Sequence, residues 1–207
     1  MTPTVRAADH GDLGGVVDTL TVSFIDDPVM RWAFPDARTR PRRLSTLWSY
    51  VAEGVYLPHG GCTTIEDHRA VALWRPAGAP DSSEFWASNG ERFVIEMEGE
   101  VERTGELTAV MSAHHPDHAD HWYLLAIGVT PEWQGRGLGG LLLDHTLRHL
   151  DAIGLPAYLE ATSDRSRRLY RRHGFVDTAE FAPDGGPPIW GMWRDPQDQG
   201  ISVPSGR

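Results

Sequence analysis

Lysine is absent from this 207-residue chain: all 19 basic residues are arginine, set against 29 acidic ones, for a net charge of −10. We attribute the arginine-only set to codon usage. The acidic balance argues against a broad nucleic-acid surface. A phosphate-binding P-loop is also excluded, because no Gly-Lys-Ser/Thr triplet exists behind any glycine run. Cysteine is nearly missing as well. Cys62 stands alone and cannot close an internal disulfide, so the core must hold the fold, and 40% hydrophobic residues with eight tryptophans suffice for one. No apolar run approaches the roughly 20 residues that cross a bilayer. The opening MTPTVRAADHGDLGG lacks the apolar segment of a signal peptide. These absences predict a soluble, cytoplasmic protein with no membrane partner. The length predicts one domain over residues 1–195, with a flexible tail over 196–207 that is rich in Gln, Ser, Gly and Pro.

What is present is concentrated in residues 121–147. Trp122 to Val129 is a nearly unbroken apolar run of strand length, which Pro131 ends because proline has no N–H to give to a ladder. Gln134-Gly135-Arg136-Gly137-Leu138-Gly139-Gly140 follows, and behind it Leu141, Leu142, Leu143, Leu147, Leu150 and Ile153 make a helix-spaced apolar face. Strand, glycine-rich turn and helix together aim backbone N–H groups and a helix N-terminus at an anion.

The rest of the chain reads around this unit. Thr4 to Ala8 predicts a first strand and Asp9 an N-cap, with Leu13, Val16, Val17 and Leu20 as a helical face. Phe24 to Phe34, interrupted by Pro28 and bounded by Pro35, predicts a loop over the core. Helical spacing returns from Arg38 to Tyr56. Cys62 to Glu66 and Ala70 to Trp74 predict a hairpin, and residues 81–113 are mostly helical in composition. Ala157 to Glu160 predicts a second buried strand, Asp164 to His173 an arginine-rich helix stopped by Gly174, and Phe175 to Phe181 with Ile189 to Trp193 a closing hairpin. The expected class is α/β with one mixed sheet, antiparallel at its front and parallel only where the crossover helix sits.

Gly135, Gly137 and Gly140 also fit the dinucleotide pattern G-x-G-x-x-G, with Glu160 near the place of its ribose-binding acid. That reading ranks second. Five residues, Thr130 to Gln134, separate strand from first glycine, and fewer than 50 residues follow Glu160, leaving no room for a second mononucleotide-binding half.

Ile127-Gly128-Val129-x-Pro131-x-x-Gln134-Gly135-x-Gly137-x-Gly139 resembles the acetyl-CoA-binding motif of the GNAT superfamily of N-acetyltransferases, and in detail the puromycin N-acetyltransferase-like group. The resemblance runs from Pro3-Thr4-Val5-Arg6 to Trp193 and is poor over residues 75–113. It implies the GNAT acyl-CoA N-acyltransferase fold: a mostly antiparallel sheet with a parallel β-α-β acetyl-CoA core over about residues 121–176. It further implies that main-chain groups of Ile127, Gly128 and Val129 pair with the pantetheine arm, and that N–H groups of Gly135 to Gly140, Leu138 included, hold the pyrophosphate. Gly128 would then serve as a bulge or splay for the thioester. Gln134 and Arg136 join the coenzyme site, and Ser166 stands where many relatives carry an asparagine. Tyr170, in Leu169-Tyr170-x-x-x-Gly174-Phe175, matches the tyrosine near the coenzyme sulfur.

The activity implied is acetyl transfer from acetyl-CoA to a primary amine, by direct attack in a ternary complex, with the enzyme a monomer or homodimer and without a metal. Glu160 is the best carboxylate for a base; its plainer reading is a structural acid paired with an arginine of the next helix. Tyr170 suits the general acid, since phenol and thiol pKa values lie within about two units of each other, and a backbone N–H at Val129 would hold the oxyanion. Arg165, Arg167, Arg168, Arg171 and Arg172 read as a solvated helix face. His114, His115, His118 and His121, with Asp117 and Asp120, match no zinc spacing, although His121 or Trp122 could border an acceptor pocket. Phe24, Trp32, Phe34, Trp48, Tyr56 and Trp86 are candidates to line that pocket. A small-molecule amine is the expected acceptor. A protein or peptide amine, or a non-catalytic acyl-CoA-binding module, are the alternatives.

Overall fold

Two parallel neighbouring strands need a crossover of a dozen or more residues, and here one long helix supplies it. The computed structural model describes residues 3–80 and 82–197. Its strands are Val5–Ala7 (β1), Cys62–Ile65 (β2), Ala70–Arg75 (β3), Trp122–Val129 (β4), Ala157–Ala161 (β5), Val176–Phe181 (β6) and Ile189–Arg194 (β7). They form one sheet in the order β1-β2-β3-β4-β5-β7-β6. The pair β4–β5 is parallel and the other pairs are antiparallel. Helix Leu138–Ile153 (α6) makes the crossover. This is the mixed sheet that the order of periodicities predicts.

Helices cover both faces. On the front lie Leu13–Phe24 (α1), Pro28–Ala33 (α2), Arg40–Val51 (α3), Ser83–Glu96 (α4) and Glu102–His114 (α5); on the back lie α6 and Asp164–Arg172 (α7). The front core joins Val16, Leu20, Leu44 and Trp48 to Val71, Leu73 and Ala126 of the sheet. The back core joins Leu142, Leu143, Leu147 and Leu150 of α6 to Ala72, Leu124, Leu159 and Met192. Cys62 is fully buried in the front core, and burial pushes its thiol up to about 12, so it is packing and not a nucleophile.

The expected N-terminal elements form where the residues place them. Asp9 caps the turn that leads into α1, accepting from the Gly11 N–H at 2.7 Å, while Asp12 accepts from the Asp9 N–H at 2.9 Å. One expectation fails: Phe24 to Phe34 is not a loop. Pro28 opens α2, where the missing N–H has no partner to lose, and Asp27 caps that helix, accepting from Val29 N–H at 2.9 Å and Met30 N–H at 3.1 Å. The prolines that looked like breakers bracket a short helix. α3 then continues through a widened turn, Ala52–Tyr56, which carries Tyr56 onto the sheet.

Among the described residues no helix is long and apolar enough to cross a membrane. The tail expected over 196–207 lies outside the described residues from 198 onward. Before it, the Gln197 N–H donates to Asp151 Oδ1 at 2.8 Å.

Candidate active site

The glycine loop is shaped for main-chain contact. Gly135 and Gly137 sit at φ +76° and +82°, in the left-handed region where a side chain is strained. Gly137 is the N-cap of α6 and offers no side chain to cap it. The first N–H groups of α6 therefore have neither intrahelical partners nor a side-chain cap, and they project from the positive end of a 16-residue helix. Beside them Trp133 is sandwiched between Arg69 and Arg136, whose guanidinium carbons lie 4.0 and 4.5 Å from its ring centre. Gln134 braces the loop: its Nε2 donates to Val129 O at 3.1 Å and its Oε1 accepts from Arg165 at 2.8 Å.

The strands open next to this loop. β4 and β5 pair at Trp122–Ala157, Tyr123–Tyr158 and Leu124–Leu159; beyond Leu124, β4 pairs with β3 alone. A bulge lies there, since Leu73 faces Ala126 while Trp74 faces Leu124, leaving Leu125 as the extra residue. Of the bulge or splay expected at Gly128, the splay from β5 includes it, while the bulge against β3 falls three residues earlier. Gly128 has another cause: a Cβ there would lie 2.9 Å from Ser23 Oγ and 3.2 Å from Leu20 Cδ2, so glycine admits α1 against the strand. The result is a free β4 edge over 125–129, leading from the glycine loop to the opening between the strands.

Glu160 is the first β5 residue past that opening. It points forward, since Leu159 and Ala161 belong to the back core. Its side chain is 2% exposed; neither carboxylate oxygen has a close hydrogen bond, and the phenols of Tyr123 and Tyr158 are the donors directed at it. The structural role considered for it, pairing with an arginine of α7, is not realised. Arg167 and Arg171 pair with Asp177 of β6. Around Glu160 stand Tyr56, Tyr123 and Tyr158, each with its pKa pushed up first by burial and next or further by the Glu160 carboxylate. Tyr123 and Tyr158 stack at 6.1 Å, and His115 Nδ1 approaches Glu160 Oε1 to 3.9 Å.

Tyr170 is buried in the back core, packed against Phe175 at 6.0 Å. Burial first, and Asp27 second, push its phenol above the ordinary value, so it is protonated at neutral pH and stands as a donor. Asp27 is a site residue that the sequence reading missed. It is largely buried, its pKa raised by desolvation, and its Oδ2 accepts from Thr162 Oγ1 at 2.5 Å. It thereby joins α2 to the end of β5. The Asp-Pro step is the signal that could have found it, as the cap and first residue of a helix. Ser166 does less than its position suggests: its hydroxyl donates to Ser163 O at 2.9 Å in the capping box of α7.

Of the six aromatics named as candidates for the acceptor pocket, of which two or three were expected to line it, most pack elsewhere. Phe24 packs on Trp48 at 5.1 Å, Trp32 sits under Arg103, and Trp86 clusters with Tyr50, Phe85 and Phe93. Phe34 is core, and of the six Tyr56 stands beside Glu160. Among the described residues no group of three or more His, Cys, Asp or Glu could hold a metal ion. His114 stacks on Phe181 at 4.1 Å, and the His118 ring packs at a tilt against Trp193 at 4.9 Å.

Residues 59–175, which hold the splayed strands, the loop and both flanking helices, match the family model described as acetyltransferase (GNAT) family. The chain belongs to this family. It therefore carries an acetyl-CoA-dependent acyltransferase domain. An uncharacterized N-acetyltransferase of Schizosaccharomyces pombe is 27% identical over 76% of this chain and 68% of its own length. Mycothiol acetyltransferase of Thermomonospora curvata is 30% identical over 73% of this chain. The chain spans about half the length of that relative, at 48%. A solved structure described as histone acetyltransferase HPA2 and related acetyltransferase from Corynebacterium glutamicum superposes with a TM-score of 0.74 at 27% identity, covering 97% of this chain and all of the other. GNAT acetyltransferases use acetyl-CoA, and the residues here fit it: an uncapped helix N-terminus for phosphate, a free strand edge for an amide-bearing arm, and an opening between strands at its end.

Proposed function

We propose that the chain transfers the acetyl group of acetyl-CoA to a primary amine of a small molecule, by direct attack with both substrates bound. Acetyl-CoA supplies an acetyl group already activated as a thioester. One observation carries the reading: Glu160 is a buried carboxylate faced by phenols and by no arginine, with neither oxygen closely hydrogen-bonded, one residue past the opening between β4 and β5. An isolated buried charge is expensive unless a partner arrives. An alkylamine is mostly a cation at neutral pH, with pKa roughly 10, so the acceptor would supply that partner as it binds. Glu160 would then take the ammonium proton and leave a neutral nucleophile. Main-chain groups of Ile127, Gly128 and Val129 and the loop N–H groups of Gly135 to Gly140 would hold the coenzyme, with Arg136 beside its phosphates. Tyr170 would protonate the departing sulfur.

The enclosure of Glu160 by three tyrosines favours a small acceptor over a peptide laid across an open groove. A non-catalytic acyl-CoA binder would have no use for the buried carboxylate. The test begins with calorimetric titration by acetyl-CoA, CoA and NADH, followed by thiol release against a panel of amines. Puromycin belongs in the panel because of the resemblance stated above. We expect binding of acetyl-CoA and silence from NADH, then turnover with at least one amine that Glu160→Gln abolishes without lowering thermal stability. Binding of NADH, or full activity in Glu160→Gln, would overturn the reading.

A further inference from the structure

The histidines between α5 and β4 make no metal site among the described residues, yet two of them connect Glu160 to the surface. His115 Nδ1 lies 3.9 Å from Glu160 Oε1. On the far side of the same ring, His115 Nε2 lies 3.0 Å from His121 Nε2. His121 Nδ1 in turn lies 2.8 Å from Ala119 O. Glu160 is 2% exposed and His115 is 34% exposed, so the path climbs from a sealed carboxylate to solvent in one step of side chain.

Counting hydrogens along this line fixes the tautomers. A carbonyl only accepts, so His121 Nδ1 must carry hydrogen. Burial lowers the pKa of His121, which keeps that ring neutral at pH 7 and its Nε2 bare. His115 Nε2 must then donate to it, and a neutral His115 has a bare Nδ1 facing the carboxylate. Two lone pairs without a hydrogen between them should stand apart, and 3.9 Å is longer than a hydrogen bond. The gap is one proton short of being closed.

We propose that His115 and His121 relay the proton taken from the acceptor amine out to solvent. The proposal rests on Glu160 as the base. The ammonium N–H bond breaks and the proton joins Glu160. It passes to His115 Nδ1 as His115 gives its Nε2 proton to His121 Nε2, and His121 then loses one proton to water. One proton enters at Glu160 and one leaves at His121. His115 is left with hydrogen on Nδ1, and exchange with water on its exposed face returns it to the starting tautomer. Tyr56 after α3, Tyr123 of β4 and Tyr158 of β5 itself surround Glu160 and are held neutral by burial; His118 is the further titratable group acting on His121. His115 is thus a positioning and relay residue, and it need not touch the substrate.

The experiment compares kcat against pH for the full chain and for Glu160→Gln, His115→Ala and His115→Gln, with and without added imidazole. In His115→Ala we expect kcat to fall about tenfold or more at neutral pH, with KM for acetyl-CoA unchanged. Added imidazole should restore it, in proportion to its neutral fraction. His115→Gln keeps the ring's neighbours spaced but has no basic nitrogen to take up and pass on a proton, so it should show the same fall and serves if the alanine variant folds poorly. An unchanged pH profile in either variant, or a loss that imidazole leaves untouched in a folded protein, would overturn the relay. Full activity in Glu160→Gln would instead bring down the reading beneath it, whereas an inactive Glu160→Gln beside a normal His115→Gln brings down the relay alone.

Discussion

The side proposed for the coenzyme is built from main-chain atoms in one continuous segment: a strand edge, two left-handed glycines and an uncapped helix. In front, the side proposed for the acceptor is built from side chains contributed by separate segments. Tyr56 follows α3, His115 follows α5, Tyr123 sits on β4, and Tyr158 and Glu160 sit on β5. A main-chain site tolerates almost any side chain but demands glycine and fixed spacing. A side-chain site leaves the backbone ordinary and is assembled only by the tertiary fold. Substrate range can therefore change in front without touching the grip behind.

The strongest way to break this contrast is Tyr170→Phe, since the proposed function gives this side chain chemistry to do on the main-chain side. Removing its hydroxyl should lower turnover by about 10²-fold while acetyl-CoA still binds. Rapid-quench kinetics beside calorimetric titration would check both halves. Unchanged turnover across the pH range would leave Tyr170 as the packing partner of Phe175 that it also is. The next effect should be Gly137→Val. A β-branched residue at φ +82° strains the turn and crowds the approach to the N–H groups. We expect acetyl-CoA affinity to weaken about tenfold or more, with less change in kcat at saturation. Equal affinity in the variant would tell against a main-chain cradle.

The same contrast explains what the sequence disclosed. The helix spacing of Leu142, Leu143, Leu147 and Leu150, the proline that ends β4 and the spaced glycines are local signals, and each lands where it is expected. The bulge is not local: Leu125 is extra only relative to Leu73 and Trp74 across the ladder, so the reading moved it to the conspicuous Gly128. Glu160 was visible as a carboxylate on a buried strand, but its lack of an arginine partner depends on Asp177, ten residues from Arg167 and on another strand. Asp27 was hidden for a different reason. Two prolines near it read as breakers, and only the capped helix shows that one of them is a beginning.

The smallest expected effect concerns a residue that belongs to neither grip, and it sharpens the comparison as a control. Asp12 gathers β1, α1 and the β2–β3 turn: Arg6 donates to it at 2.7 and 2.6 Å, and His68 Nε2 lies 2.8 Å away. The Arg6 hydrogen bonds first, and the Asp9 N–H next, hold its pKa below the ordinary carboxylate value. A carboxyl depressed in the folded state stabilises it above the unfolded pKa, about 3.9, and that contribution fades as pH falls through this value toward the folded one. Asp12→Asn keeps an acceptor but removes the charge. It should cost about 1–2 kcal/mol at neutral pH, a fall of a few degrees in melting temperature at about 2–4 °C per kcal/mol for a chain of this size. The gap between variant and parent should narrow as pH drops below about 4, while acetyl-CoA affinity and kcat at neutral pH stay put. A gap that is constant with pH would mean the carboxylate's charge contributes nothing. A loss of coenzyme binding would mean the front edge of the sheet is coupled to the loop behind it, and the division between the two faces would have to be redrawn.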